Sequence, residues 1–178
     1  MPFGDCPLDE YDVGKSVYMD ILNRAKDYVY IMTPYMIMDG ELENSLTFSA
    51  ERGGDVRIIL PHISDSFVAQ ALAKTHYKKL LDAGVKVYEY TPGFVHAKVF
   101  VSDDVKSVVG SINMDYRSLY HHFECATYMY GTRCIEDIKS DYKDTLAKCQ
   151  QVTYQSIIND KWHIKLIAKV IKFVAPLI

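Results

Sequence analysis

The chain has no run of apolar residues that reaches the ~20 needed to cross a bilayer. Its beginning does not read as a secretory signal either, because Met1 to Glu10 carries Asp5, Asp9 and Glu10 and no basic segment ahead of an apolar one. The four cysteines (Cys6, Cys125, Cys134, Cys149) are widely scattered and form no CxxC pair. That argues against a zinc site and for free thiols in a reducing compartment. Excess basic charge is missing too. Lys and Arg number 20 against 23 Asp and Glu, a formal net charge of -3, so this is not a generic polyanion binder and nucleic acid is not an expected partner. There is no internal repeat, low-complexity segment or interdomain linker. What remains is 178 residues, 49% hydrophobic and 24% charged, which fits one globular domain with a substantial core. The fourteen tyrosines occur throughout and read as core edges and surface contacts.

Met1 to Asp12 is polar and turn-rich and reads as an extended lead-in. Gly14 to Asp27 places Val17, Ile21, Leu22 and Ala25 at helical spacing, and the YVYIM run at Tyr28 to Met32 follows as a strand stopped by Pro34. Glu41 to Arg52 predicts a helix closed by Gly53, and Asp55 to Leu60 a buried strand ended by Pro61. Asp65 to Ala83 predicts a long helix, capped by Ser64 or Asp65 and closed by Gly84. Val85 to Tyr90 and Phe123 to Tyr130 read as strands and Ile135 to Lys148 as a helix, while Gln151 to Asn159 gives no clear signal. Strands alternating with helices predict an α/β fold, a mixed β-sheet flanked by helices on both faces.

The chemistry concentrates in Phe94 to Glu124. Val99 to Val101 and Ser107 to Val109 read as buried strands joined at the polar turn Asp103-Asp104, a hairpin. Side chains alternate along a strand, so His96 and Lys98 face one way while Ala97, Val99 and Val101 face apolar packing. Ser111 and Asn113 share a face by the same rule if the strand extends that far. A nucleophile or base, a fixed cation and two neutral hydrogen-bonding groups then converge, as phosphoryl transfer requires.

The spacing is HxK, four residues, Asp, six residues, GSxN. It resembles the HKD motif of the phospholipase D superfamily. TPYMIMDGEL (Thr33 to Leu42), GGDVRIILP (Gly53 to Pro61), YKKLLDAGVKVYEYTPGFVHAK (Tyr77 to Lys98) and GSINMDYRS (Gly110 to Ser118) are similar to the C-terminal half of bacterial cardiolipin synthases. The resemblance implies a phospholipase D-like half. In it His96 forms a phosphohistidine intermediate, Lys98, Ser111 and Asn113 bind substrate phosphate, and Glu124, 28 residues after His96, orients the histidine. A histidine suits the nucleophilic role because its neutral form is accessible near pH 7. No metal or organic cofactor is implied. The implied substrate is an anionic phospholipid, phosphatidylglycerol, handled at the cytoplasmic face of the cell membrane.

Other residues weigh less. Gly110 and Asp103 read as structural, Asp103 because it lies in the turn, where it caps the turn or pairs with a base such as Arg117. Two further HxK triplets begin at His76 and His163; neither has the acid and the GSxN that follow His96, and both read as surface residues. His122 stands where the cardiolipin synthases usually carry Asn, which puts that side chain's hydrogen bond in doubt, although His also donates. A metal pair with His121 is disfavoured because adjacent strand residues point oppositely. Beyond a domain spanning residues 1–159, residues 160–178 place Lys161, Lys165, Lys169 and Lys172 at helical spacing against a Trp162-bearing apolar face. A basic amphipathic helix of this kind suits an anionic membrane surface, with docking on the domain or on a dimer partner as the alternative.

One HKD motif supplies one histidine, and the chemistry needs a nucleophile and a general acid. The second half comes from a longer natural protein or from a second copy about a twofold axis. The readings in play are thus a phosphatidyltransferase, a homodimeric phosphodiesterase or nuclease, and an inactive membrane-binding fragment.

Overall fold

The computed structural model describes residues 1–159. In order these form β1 (Pro2–Asp5), α1 (Val13–Arg24), β2 (Tyr28–Met32), β3 (Met36–Ile37), α2 (Gly40–Glu51), β4 (Asp55–Pro61), α3 (Phe67–Asp82), β5 (Lys86–Tyr90), β6 (Val99–Ser102), β7 (Lys106–Gly110), β8 (Met114–Asp115), a π-helical turn (Arg117–His121), β9 (Glu124–Tyr130), α4 (Cys134–Leu146), β10 (Cys149–Gln151) and α5 (Tyr154–Asn159). All five residues of β2 are buried, as a strand covered on both faces must be. β2, β4 and β5 run parallel, and β6, β7, β9, β1 and β10 complete an eight-stranded sheet through antiparallel pairs, in the order β1-β9-β7-β6-β2-β4-β5-β10. The mixed sheet flanked by helices is the architecture the sequence predicts.

Alternation sorts the core into two layers. Val29 and Ile31 of β2 and Phe100 of β6 face α1, α2 and α3, where Ile21, Leu22, Leu42, Leu46 and Leu80 are completely buried. Tyr28, Tyr30, Val99 and Val101 face Ile135 and Tyr142 of α4. Each large apolar side chain buried in this way contributes roughly 1.5–3 kcal/mol. α2 starts at Asp39, whose carboxylate accepts the Leu42 amide at 2.8 Å, with Glu41 and Glu43 in the first turn. Gly53 and Gly84 take positive φ just beyond α2 and α3, the left-handed step that ends a helix without a Cβ penalty.

Several expectations change. The lead-in contains a strand: Pro2–Asp5 pairs with β9 at the sheet edge. The cap of α3 is Ser66, which accepts the Ala69 amide at 3.2 Å, rather than Ser64 or Asp65. The segment with no clear signal holds β10 and α5. His76 is not a surface residue: it is 2% exposed, and its Nδ1 lies 2.7 Å from a Glu43 carboxylate oxygen between α2 and α3. A polar triplet on a helix looks solvated in sequence, but the facing acid on α2 permits burial. Tyr18 and Tyr142 lie deep in the core rather than at its edge. The triplet beginning at His163 and the basic tail 160–178 lie outside the described residues. None of the described helices is long and apolar enough to cross a membrane.

Candidate active site

The hairpin forms as predicted. β6 and β7 pair from Val99↔Val109 to Ser102↔Lys106, and Val105 N–H donates to Ser102 C=O at 3.0 Å. Asp103 and Asp104 have φ of 53° and 57°, the paired left-handed values of a type I′ turn. The Asp103 carboxylate does not pair with Arg117. It accepts the backbone N–H groups of Lys26, Asp27 and Tyr28 at 2.8, 3.0 and 2.9 Å, tying the hairpin tip to the start of β2. The motif acid thus stands at the end of the hairpin opposite His96.

At that other end lie the carboxyl ends of β2, β4 and β5, the start of β6, the end of β7 and the start of β9. In open α/β sheets ligands bind outside the carboxyl ends of the parallel strands. His96 and Lys98 precede the paired strand, yet the alternation persists: Val95 and Ala97 pack on the α4-side core. His96 is exposed and Lys98 is buried. The Lys98 ammonium is 2.9 Å from His96 Nδ1 and 3.2 Å from Nε2, and it donates to the His96 carbonyl at 2.8 Å. Among the described residues it makes no ion pair. Burial lowers the Lys98 pKa below the ordinary 10.5, only partly offset by the fields of Glu124 and Asp115. A buried cation without a counter-ion beside an accessible imidazole is a ready anion site.

Gly110 permits the next step. A Cβ there would stand 2.4 Å from both the Ala126 Cβ and the Cys125 carbonyl oxygen, so β7 and β9 can approach only through glycine. Ser111 leaves that strand exposed and donates to the Glu124 carboxylate, and its Oγ accepts the Cys125 amide at 3.0 Å. β7 ends at Gly110, so Ser111 and Asn113 are not placed by continued strand alternation. Asn113 turns inward and donates to Asp115, and its Oδ1 is buried without a hydrogen-bond partner among the described residues. Glu124 opens β9 as expected. Within the chain its carboxylate bonds Ser111 and lies 3.8 Å from His122 Nδ1, and it forms no hydrogen bond with His96. At that distance His122 Nδ1 makes no hydrogen bond to Glu124.

Two contributors escape the sequence reading. Asp115 is buried; burial raises its carboxyl pKa, opposed by the Ser118 N–H (2.8 Å) and the Asn113 amide. Tyr35 stands edge-on to His96 at 6.5 Å between ring centroids, with Phe94 5.5 Å from His96 on another side. The two-stranded parallel pair of β3 and β8 (Met36↔Met114) brings the Tyr35 and Asn113–Asp115 segments together. Thr33 Oγ1 bonds both, at 2.9 Å to Tyr35 C=O and 3.3 Å from Met114 N–H. The available signal was positional: both residues lie inside the stretches that carried the resemblance. The π-helical turn follows, with its Ser118 N–H donating to Asp115, and is held by Tyr120, whose hydroxyl bonds Asp39 and accepts Lys15 at 2.8 Å. Such turns often mark functional sites; here the turn leads the chain from Asp115 back to Glu124. A cavity of about 430 Å³ opens beside Tyr35, Asp115 and Arg117.

Known proteins resemble this chain in sequence and in fold. An uncharacterized protein of Streptococcus mutans is 61% identical over 178 residues, all of this chain and 39% of that protein. Cardiolipin synthases of Alkalihalophilus pseudofirmus and Halalkalibacterium halodurans are 32% and 30% identical over 172 residues, 97% of this chain and 34% of theirs. The chain therefore spans about a third of the length of these relatives. The fold is shared with phosphatidylserine synthase of Haemophilus influenzae, at a TM-score of 0.80 and 13% identity over 99% of this chain and 47% of that one. It is also shared with Nuc, a phospholipase D family member of Salmonella typhimurium, at 0.70 and 17% over 85% and 99%. The family described as "Cardiolipin synthase, PLD-like domain" matches residues 18–146, and the chain belongs to that family.

Proposed function

We propose that this chain is one catalytic half of a phosphatidyltransferase that makes cardiolipin from phosphatidylglycerol. The observation that carries the reading is Lys98, a buried ammonium with no ion pair among the described residues, in contact with an exposed His96. A phosphodiester supplies the missing counter-charge and places its phosphorus at the imidazole. A His96 ring nitrogen bonds phosphorus as the bond from phosphorus to the glycerol oxygen breaks. The departing glycerol oxygen takes a proton from a general acid, a second histidine outside this chain. A hydroxyl of a second phosphatidylglycerol, losing its proton to that same base, then bonds phosphorus and breaks the N–P bond. Lys98 holds the negative oxygens throughout, the remaining amide proton of Asn113 is a further donor, and Ser111 becomes one when its hydroxyl proton turns away from Glu124.

The relatives named cardiolipin synthase support the choice of substrate. The experiment is incubation of the complete protein with labelled phosphatidylglycerol. Wild type forms cardiolipin and glycerol, and His96→Ala falls by at least ~10³-fold. Cardiolipin formation by His96→Ala equal to wild type sinks the reading. A second reading, a diesterase working as a pair of identical chains, draws on the likeness to Nuc, whose chain is covered over 99%. Hydrolysis of a simple diester by this chain alone, without transfer, favours it. Residues 160–178 supply a membrane contact in the first reading, and vesicle co-sedimentation unchanged by their deletion removes that role.

A further inference from the structure

We propose that the cavity beside His96 receives an acyl chain of the lipid whose phosphorus His96 attacks. The inference rests on the phosphatidyl-transfer reading and adds a subsite to it. The cavity of about 430 Å³ is lined by Tyr35, Ile37, Val68, Ala69 and Leu72, with Asp115 and Arg117 on its polar side. That size suits a small-molecule subsite. Tyr35 is the shared wall. Its ring stands edge-on to His96, and its hydroxyl is committed to Asp65 at 2.7–2.8 Å, so the ring itself bounds the cavity. Arg117 makes no ion pair among the described residues and supplies a cation to the cavity lining.

The outer rim is also apolar. Phe67 and Phe94 are 57% and 40% exposed. Phe67 lies between the lining residues Ser66 and Val68, and the Phe94 ring is 6.4 Å from that of Tyr35. Bare aromatic side chains leading into a largely apolar cavity carry an unrewarded hydration cost in water. The lining also holds Ser66, Asp115, Tyr116 and Arg117, but Ile37, Val68, Ala69 and Leu72 offer a polar headgroup no side-chain partner. An acyl chain buries against all four while its ester end stays near Arg117 and its phosphate reaches Lys98. Each methylene so buried is worth about fourfold in affinity (about 0.8 kcal/mol).

The test uses the complete protein, with phosphatidylglycerol of increasing chain length in mixed micelles and glycerophosphoglycerol as a chain-free diester. In wild type kcat/KM rises with chain length, by up to about fourfold per methylene, until the cavity is full. Ala69→Trp fills the cavity, and the ratio of long-chain to chain-free kcat/KM falls at least ~10-fold, mostly through KM. Val68→Glu, on the half-buried side of α3, gives the same fall should the tryptophan variant fail to fold, which thermal unfolding reports. A flat chain-length profile in wild type, or a ratio unaltered by a folded variant, overturns the acyl subsite while cardiolipin synthesis stands. Turnover of glycerophosphoglycerol with no cardiolipin from phosphatidylglycerol of any length overturns the transfer reading and the subsite together.

Discussion

Lys98 folds back onto His96, its ammonium 2.9 Å from Nδ1 and 2.8 Å from the same residue's carbonyl oxygen. The contact puts a positive charge against the imidazole edge, with no carboxylate of the described residues in hydrogen-bond reach. Burial already disfavours that charge, so Lys98 loses its proton at lower pH than an exposed lysine does. Activity should therefore fall as pH rises through a value below 10.5. Lys98→Arg, whose guanidinium stays charged, should remove this alkaline limb, and Lys98→Ala should cost ~10²–10³ in kcat. A limb unchanged in Lys98→Arg assigns it to another group; kcat against pH for both variants is the measurement.

Asp103 should matter for stability and little for chemistry. It accepts three backbone N–H groups at the start of β2 from a left-handed turn position. Asp103→Ala leaves those donors without the carboxylate and adds strain at positive φ, for a loss of about 2–4 kcal/mol. Asp103→Asn tolerates the turn and loses less. Urea unfolding ranks the two, and equal stability of Ala and wild type contradicts the anchoring role.

Glu43 ties α2 to α3. Burial alone would raise its pKa, but hydrogen bonds from His76 and Lys79, at 2.7 Å each, outweigh it and hold the carboxyl at about 2 against an ordinary 4.5. The folded value is depressed, so the stabilisation is fully present above roughly pH 4.5 and is lost as pH falls toward about 2. Its size is on the order of 3 kcal/mol. Glu43→Gln should flatten stability against pH across that window. A slope identical to wild type between pH 5 and 2, by thermal melts, contradicts it.

Gly110→Ala should break the approach of β7 to β9. The added methyl would sit 2.4 Å from Ala126 and Cys125 atoms, one of them backbone. A loss of about 2–4 kcal/mol is expected, and with it the Ser111–Glu124 bond. Hydrogen exchange of the Ser111 and Cys125 amides, both bonded across this pair, reports the separation. Unchanged protection in a folded variant contradicts the close-packing account.

The sequence alone determined the local chemistry. The two-residue period of an extended chain put His96 and Lys98 on one side, and two acids in succession made the left-handed hairpin turn. The buried run at Tyr28–Met32 and the glycine stops fixed the α/β alternation. Only the tertiary structure decided what each polar group touches. Asp103 meets residues 26–28, His76 meets Glu43, and Glu124 bonds Ser111. Tyr35 and Asp115 reach the site only because β3 and β8 pair. Spacing along one strand is a property of the backbone and is written in adjacent residues. Burial and partner choice between distant segments depend on how the helices and the sheet pack, which no local window contains.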